Sequence, residues 1–169
     1  MLVSCPCSWL ESPRPRSFAG LMEMYEANYM RLRRLYPEPY DVEDCAVSQV
    51  RGTVDLHLEV LARSSYTSTL RLTYYLKDQH GALNPDPDIR LRVYHDALQA
   101  EVLSWSSRWI SRHACARASA DRHALSGKWT MNRFLYKWLN YCLRQGHHFP
   151  KIPANSIAAP RSLVALTVE

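Results

Sequence analysis

Two adjacent residues, His95 and Asp96, carry the side chains that many hydrolases use as a general base and as the carboxylate that orients it. They lie in the stretch RLRVYHDALQAEV, in which apolar and polar residues alternate as in a β-strand. Successive side chains of a strand point to opposite faces, so a continuous strand would separate the pair. A turn at HDA would instead let Asp96 bond backbone amides. We therefore expect no catalytic residues, and a hydrolase using this pair is an alternative.

Ligand binding is a second chemistry that this stretch suggests. Arg92 and Tyr94 precede the pair on the polar side of the alternating pattern. An earlier alternating segment, TLRLTYYL, carries Arg71 and Tyr75, which become neighbours if the segments belong to one sheet. The sequence therefore predicts a ligand-binding site formed by Arg71, Tyr75, Arg92, Tyr94, His95 and Asp96.

Motifs for other reactions and for cofactors do not occur. The sequence has no GxSxG nucleophile motif, and its five glycines, at 20, 52, 81, 127 and 146, cannot form GxGxxG or GxxxxGK. The CPC at 5–7 has no second ligand pair at structural-zinc spacing, and the cluster of His113, Cys115 and His123 has no matching fourth ligand. We therefore predict no metal and no cofactor, and we expect His147 and His148 to be exposed.

Charge is distributed unevenly along the chain, whose net charge is +5. Residues 1–104 contain eleven Lys and Arg against fourteen Asp and Glu, whereas residues 105–151 contain nine bases and one acid. The basic part also contains four tryptophans, and basic groups interleaved with aromatic rings are typical of single-stranded nucleic-acid binding. Solvated surface charge produces the same pattern. Nucleic-acid or other polyanion binding is therefore an alternative function, through Arg108, Arg112, Arg117, Arg122 and Lys128.

Two amphipathic helices are predicted near the ends of the sequence. The first follows Ser17 as N-cap, is stopped by Pro37, and has an apolar face formed by Leu21, Tyr25, Tyr29, Leu32 and Tyr36. The second, TMNRFLYKWLNYCLRQG, is bounded by Thr130 as N-cap and Gly146 as C-cap. Its apolar face consists of Met131, Phe134, Leu135, Trp138, Leu139 and Cys142.

Between the helices, apolar and polar residues alternate around 54–60, 70–76 and 89–93, and KDQHGALNPDPD is expected to be a polar loop. Clean alternation indicates an antiparallel sheet with one covered face. The prediction is an α+β domain over residues 17–148, with an antiparallel sheet of about four to five strands flanked by an N-terminal and a C-terminal helix. Residues 1–16 and 149–169 are expected to be a flexible leader and a flexible tail.

Composition restricts the class of protein. At 169 residues, 47% hydrophobic and 22% charged, the chain is long enough for one domain with its own core. No run of about 18 apolar residues is present, and the N-terminus lacks the basic start of a secretory signal. Five scattered cysteines do not form a disulfide framework. We therefore expect a cytoplasmic protein with reduced thiols and no membrane association.

Four blocks of the sequence are similar to a known family. They read YEANYMRLRRLYP, LEVLARSSYTSTLRL, LRVYHDALQAEVLS and NRFLYKWLNYCLRQGH, and VYHDA followed by AEV is the most specific element. Together they resemble the YqiB-like bacterial family, a domain of unknown function in proteobacteria, over roughly residues 18–148. The resemblance implies a small cytoplasmic protein without an assigned reaction. The basic stretch WISRHACARASADRHALSGKW departs from the family pattern.

From these observations we expect a non-catalytic binding or adaptor module. A sheet with one uncovered face offers a groove for a small ligand or a protein partner. Polyanion binding through the basic region and hydrolysis by His95 and Asp96 are the alternatives.

Overall fold

A computed structural model describes residues 17–37, 44–107 and 124–149 of the chain. In these ranges the elements are α1 (Phe18–Leu35), β1 (Cys45–Ser48), β2 (Leu56–Arg63), β3 (Thr67–Lys77), β4 (Leu83–Tyr94), β5 (Gln99–Ser106) and α2 (Leu125–Arg144). The strands form one antiparallel sheet in the order β1-β2-β3-β4-β5. This arrangement confirms the predicted α+β class, with an N-terminal and a C-terminal helix beside an antiparallel sheet.

The predicted leader and all of the predicted tail except Phe149 lie outside the described residues, as does most of the basic stretch. Phe149 itself is buried in the core. Its backbone N–H donates to the carbonyl oxygen of Leu35 at 2.8 Å, and its ring packs edge-on against Tyr36 with 6.2 Å between ring centroids. The core therefore includes the residue directly after the predicted domain boundary at 148.

The first helix begins and ends where the sequence predicts. Ser17 is its N-cap, since its Oγ accepts a hydrogen bond from the backbone N–H of Gly20 at 3.0 Å. The helix ends at Leu35, two residues before Pro37, and the whole predicted apolar face is buried. Neither α1 nor α2, the helices of the described chain, is long and apolar enough to cross a membrane.

The second helix starts earlier than predicted. Thr130 is not its N-cap but lies inside the helix, where Oγ1 donates to the carbonyl oxygen of Ser126 at 2.9 Å. At the other end Gly146 adopts a φ of 87°, and the bonds Gly146 N to Leu143 O and His147 N to Cys142 O close the last turn. This pattern is a Schellman motif, and it confirms Gly146 as the terminating residue.

The predicted loop KDQHGALNPDPD is mostly strand. β3 extends to Lys77 and β4 starts at Leu83, so the turn is short and is closed by Asp78, whose Oδ1 accepts from the backbone N–H groups of His80 and Ala82, each at 2.9 Å. The prolines in β4 sit where the β3–β4 ladder shifts register, and a proline is tolerated there because no amide is required. β2 starts later than predicted, at Leu56, which leaves Val54 exposed, and it continues to Arg63.

Most of the alternating apolar residues of the strands face the helices and form the core. With the inner faces of α1 and α2 they make one continuous cluster, while a smaller cluster of Leu21, Met24, Tyr25 and Trp129 joins the two helices near the start of each. The core contributions of the strands are Leu56, Leu58, Val60, Leu70, Leu72, Tyr74, Ile89, Leu91, Val93, Ala100, Val102 and Trp105. The polar residues that alternate with them, such as His57, Glu59, Arg71 and Asp88, are thereby turned to the opposite face.

A buried amide network fixes β5 to the helices. Asn132 of α2 is fully buried, and its Oδ1 accepts a hydrogen bond from the backbone N–H of Val102 at 3.1 Å. Asn28 of α1 donates to the same oxygen at 3.4 Å, and to the carbonyl oxygen of Asn132 at 3.3 Å. A strand at the edge of a sheet leaves such amides unpaired, so Asn132 supplies an acceptor that a sixth strand would otherwise provide.

Candidate functional site

The face of the sheet opposite the helices is lined by two rows of paired residues. One row runs through Cys45, Glu59, Arg71 and Arg90, and the other through Val47, His57, Thr73 and Asp88. We call this surface the open face. It carries both signs of charge, and three of its charged groups are held by the contacts described next.

Arg71 is fixed at the centre of the open face by two carboxylates. Its Nε donates to Asp88 Oδ1 at 2.7 Å and its Nη2 to Asp88 Oδ2 at 3.2 Å, while Nη1 donates to Glu59 Oε2 at 3.4 Å. The hydrogen bonds to Asp88 are the main reason that the pKa of Arg71 is raised above its ordinary value. A guanidinium held in this way is oriented before any ligand arrives.

Beside Arg71 the open face contains a groove of about 300 Å³. It lies between β1 and β3, and His57 and Tyr75 meet in it edge to face with 4.8 Å between ring centroids. Its lining residues are Cys45, Ala46, Val47, His57, Leu58, Glu59, Arg71, Thr73 and Tyr75. The groove thus combines an aromatic pair and an exposed valine with a fixed ion pair.

The HDA block forms the turn between β4 and β5. β4 ends at Tyr94, and Asp96, which is exposed, uses Oδ1 to accept the backbone N–H of Ala97 at 2.9 Å. His95 points elsewhere, with Nε2 2.9 Å from Ser68 Oγ. Burial, followed by the nearby charge of Arg33, lowers the pKa of His95. Since the two side chains bond different partners, this geometry gives no support to a His–Asp hydrolase.

Tyr94 and Arg92 lie near a carboxylate that joins three elements. Tyr94 Oη donates to Glu101 Oε1 at 2.7 Å. The other oxygen of Glu101, Oε2, accepts a hydrogen bond from Tyr25 Oη at 3.3 Å. Burial, followed by contact with Glu101, raises the pKa values of both tyrosines. Arg92 is exposed on β4 and pairs in register with Glu101. Tyr94 therefore has a structural partner, whereas Arg92 extends the open face away from the groove.

The structure brings together two of the six residues predicted for ligand binding. Arg71 and Tyr75 line one groove. The other four do not line this groove. Arg92 pairs with Thr69, two residues before Arg71 on β3, and Tyr94, His95 and Asp96 lie at or after the end of β4. The residues that complete the groove beside Arg71 and Tyr75 come from β1 and β2, which sequence reasoning did not include.

The predicted polyanion site lies almost entirely outside the described residues. Arg108, Arg112, Arg117 and Arg122 fall in 108–123, as do His113, Cys115 and His123. Lys128 is described, and its Nζ lies 3.5 Å from Glu101 Oε2. Within 17–37, 44–107 and 124–149, no group of three or more His, Cys, Asp and Glu side chains is arranged to hold a metal ion.

His147 corrects one expectation, because it is not exposed but 2% accessible. The Schellman turn after α2 directs the chain back onto the sheet, where His147 Nδ1 lies 3.2 Å from Ser48 Oγ. Burial is the main cause of a lowered His147 pKa. Its Nε2 is buried and has no hydrogen-bond partner among the described residues. A buried polar group without a partner costs about 1–3 kcal/mol. His148 is exposed, as expected.

A second cavity, of about 600 Å³, adjoins His147 between β3, β4 and the end of α2. Asp86, only 2% exposed, also lines it, and Ser107 Oγ donates to Asp86 Oδ1 at 2.7 Å. The described lining residues are Gly52, Thr53, Val54, Tyr74, Leu76, Asp86, Pro87, Tyr141, Gln145 and His147. We call this space the His147 cavity. It shares Leu76 and Asp86 with a further cavity of about 550 Å³ beside the β3–β4 turn.

Sequence reasoning missed the His147 cavity because its residues are brought together only by the tertiary fold. Asp86 and His147 are far apart in the chain, and neither lies in a motif. One local signal was present: a glycine that ends a helix reverses the chain, so the next residue packs against what lies beneath. Applied to Gly146, that rule favours a buried His147.

Comparison with known proteins places the chain in a family. The model of the DUF1249 family, described as a protein of unknown function, matches residues 31–148, and the chain belongs to this family. The uncharacterized protein YqiB of Escherichia coli K12 is 28% identical over 130 residues, which cover 76% of this chain and 90% of that protein. The YqiB proteins of E. coli O6:H1 and O157:H7 match equally well. The resemblance inferred from the sequence is thereby confirmed. No solved structure matches significantly.

Proposed function

We propose that this protein is a non-catalytic binding module that holds an extended segment of a partner protein along β1, with one side chain of that segment in the groove. The observation that supports this proposal is the position of the groove, which adjoins the outermost strand of the sheet. No described strand pairs with the outer side of β1. An extended peptide can add to such an edge by main-chain hydrogen bonds, and pockets then select its alternate side chains.

The groove lining defines the side chain that it accepts. Val47 and the His57–Tyr75 ring pair provide apolar and aromatic contact, which suits an aromatic or a large aliphatic side chain. Arg71 and Glu59 bound the groove with groups that are already paired, so they add orientation without an uncompensated charge. Arg92 lies beyond them on β4, where it contacts Tyr94 and is exposed to an acidic residue of the partner.

A binding role in the cytoplasm also agrees with the remaining polar residues. The His95 side chain contacts Ser68, and the Asp96 side chain bonds the backbone of the turn. The two therefore do not line the groove as an acid–base pair. Cys45 and Cys142 are free thiols, one exposed and one buried. Free thiols are usual in a reducing compartment, which supports the cytoplasm as the location.

The proposal is tested by selecting peptides from a random display library on the immobilised full chain and measuring their affinity by fluorescence polarisation. We expect enriched peptides to share an aromatic or large aliphatic residue. Tyr75→Ala and Val47→Trp, which open and fill the groove respectively, should each weaken binding roughly tenfold or more, a loss of about 1.4 kcal/mol.

The matched control is Tyr66→Ala, because Tyr66 is an exposed tyrosine in the β2–β3 turn and lies away from the groove. This variant should bind the selected peptides with unchanged affinity. The proposal fails if no peptide is enriched, or if the enriched peptides bind the groove variants as tightly as the wild-type chain.

A further inference from the structure

We propose that the partner segment adds antiparallel to β1 and carries, in chain order, a large apolar residue opposite Val47, one residue of any type, and an arginine or lysine opposite Cys45. This inference rests on the function proposed above and gives the partner its chemistry. It depends on the direction in which the main chain of β1 faces and on how Glu59 is held.

The outward main chain of β1 belongs to Cys45 and Val47. The backbone N–H of Val60 donates to the carbonyl oxygen of Asp44 at 2.7 Å, which continues the β1–β2 register. Every second residue of an antiparallel strand bonds the same neighbour, so the residues two and four positions after Asp44 also face β2. Cys45 and Val47 therefore turn their N–H and C=O groups away from β2, where no described strand pairs with them. An added antiparallel residue can exchange two hydrogen bonds with each.

The same two residues define two lines of side chains across the open face. Residues directly opposite each other in an antiparallel pair place their side chains on one face. The partner residue opposite Val47 is therefore in line with Val47 and His57, and the one opposite Cys45 is in line with Cys45 and Glu59. The first reaches over Val47 to the His57–Tyr75 ring pair, so it is the side chain that fills the groove. The second crosses only the small side chain of Cys45.

Glu59 is the less tightly held of the two carboxylates that bond Arg71. Asp88 accepts two hydrogen bonds, at 2.7 and 3.2 Å, whereas Glu59 accepts one, at 3.4 Å. The side chain of Glu59 is 44% exposed and that of Asp88 is 20% exposed. An ionised carboxylate has about four acceptor positions, so Glu59 can bind a further donor. It lies two strand spacings, about 10 Å, from the added strand, a distance that suits a side chain as long as arginine or lysine.

The test measures the binding of fluorescent threonine heptapeptides to the full chain by fluorescence polarisation. One peptide has phenylalanine third and arginine fifth, and its match has uncharged citrulline in place of arginine. We expect the arginine peptide to bind about threefold to fivefold more tightly, as a partly exposed ion pair allows. This preference should disappear in Glu59→Gln, which should still bind the citrulline peptide and so report its own folding. It should persist in Glu26→Gln, at an exposed glutamate of α1.

Methylation of single peptide nitrogens tests the register. N-Methylation of the phenylalanine or of the arginine removes an N–H that bonds Val47 or Cys45, and should weaken binding at least tenfold. N-Methylation of the threonine between them should be tolerated, because that N–H faces away from β1. The peptide with phenylalanine and arginine exchanged should bind at least threefold more weakly, since an antiparallel strand would then place each residue opposite the wrong partner.

Equal affinity of the wild-type chain for the arginine and citrulline peptides overturns this proposal, and so does a preference for arginine that survives in Glu59→Gln. Equal losses at all three methylated positions, or equal binding of the exchanged peptide, overturn the register. If library-selected peptides bind the groove without a basic residue at this spacing and the heptapeptides do not bind, this proposal fails and the proposed function stands. If no peptide of either kind binds, both fail together.

Discussion

Asp88 accepts two parallel hydrogen bonds from the guanidinium of Arg71, at 2.7 and 3.2 Å, across the central pair of strands β3 and β4. Both side chains are about one-fifth exposed, which reduces screening by water without burying the charges completely. The contact fixes the orientation of Arg71 beside the open-face groove, so its strength can be measured separately from any binding.

The Arg71–Asp88 pair is expected to contribute a measurable coupling energy. In a double-mutant cycle with Arg71→Met and Asp88→Asn, urea denaturation should give about 1–2 kcal/mol, because the bond is bidentate and partly shielded. Arg71→Lys should recover only a minor part, since an ammonium cannot reproduce two parallel bonds. Arg90→Met, at an exposed arginine on β4, is the control and should cost less than about 0.5 kcal/mol. A coupling energy near zero would contradict the assignment.

Replacing Asn132 by Leu is expected to destabilise the fold by about 2–3 kcal/mol, because it leaves the buried N–H of Val102 without an acceptor. Hydrogen exchange at the Val102 amide should accelerate more than exchange in β3. Asn140→Leu is the matched control on the same helix, since the Asn140 side chain bonds Arg31 and Tyr136 and not the sheet. Equal exchange at Val102 in both variants would show that Asn132 does not protect the edge.

His147 is expected to make stability depend on pH. Its pKa in the folded chain lies below the ordinary value of 6.5, mainly because it is buried, although a hydrogen bond with the Ser48 backbone and the charge of Asp55 oppose that shift; Asp86 lines the same cavity. Between the folded pKa and about 6.5 the unfolded chain binds more protons. The free energy of unfolding therefore falls as pH decreases through this window, by at most about 1.4 kcal/mol per pH unit for one histidine.

His147→Gln should remove this contribution, so the free energy of unfolding should depend less on pH below about 6.5. Urea denaturation at several pH values between 7.5 and 5 measures this. His95→Gln should remove a second contribution of the same sign, because the pKa of His95 is also lowered. The exposed neighbour His148→Gln controls for the loss of an imidazole. A His147→Gln chain with the wild-type slope would contradict the prediction.

The two described cysteines are expected to differ strongly in reactivity. In a chain with Cys5, Cys7 and Cys115 replaced by Ser, dithionitrobenzoate should modify exposed Cys45 at once. Cys142 should react only on unfolding, because burial raises its pKa to about 11 and excludes the reagent. Two thiols modified at the same rate in the native chain would contradict this.

Attaching a bulky maleimide to Cys45 should block the selected peptides, since Cys45 lines the open-face groove. Cys45→Ala should bind peptides normally and resist the reagent.

The sequence was sufficient to predict features that depend on local periodicity. Alternation around Leu70 and Leu72 identified the buried face of β3, and the spacing from Leu21 to Leu32 identified that of α1. Features set by the pairing of distant strands were not predictable. The prolines of β4 suggested a loop because a regular ladder disfavours them, yet Pro87 lies in the bulge opposite Tyr74 and Pro85 is the residue next to that bulge.

The candidate sites follow the same division. Arg71 and Tyr75 were predicted because they share a face of one strand, whereas their groove partner Val47 comes from a strand too short to be recognised from its pattern. His147 was misjudged because a histidine near the end of a chain is usually exposed. Its burial depends on Ser48, 99 residues away, and no local pattern encodes that contact.

The amide of Asn132 on Val102 makes the two edges of the sheet unequal towards other molecules. A strand approaching β5 would have to displace a buried side chain, whereas β1 is not blocked in this way by any described residue. If two copies of the chain pair through their sheets, they therefore meet β1 to β1 about a two-fold axis. That contact would occupy, in both copies, the described edge that no such side chain blocks, so pairing through the described strands favours a dimer over a fibre.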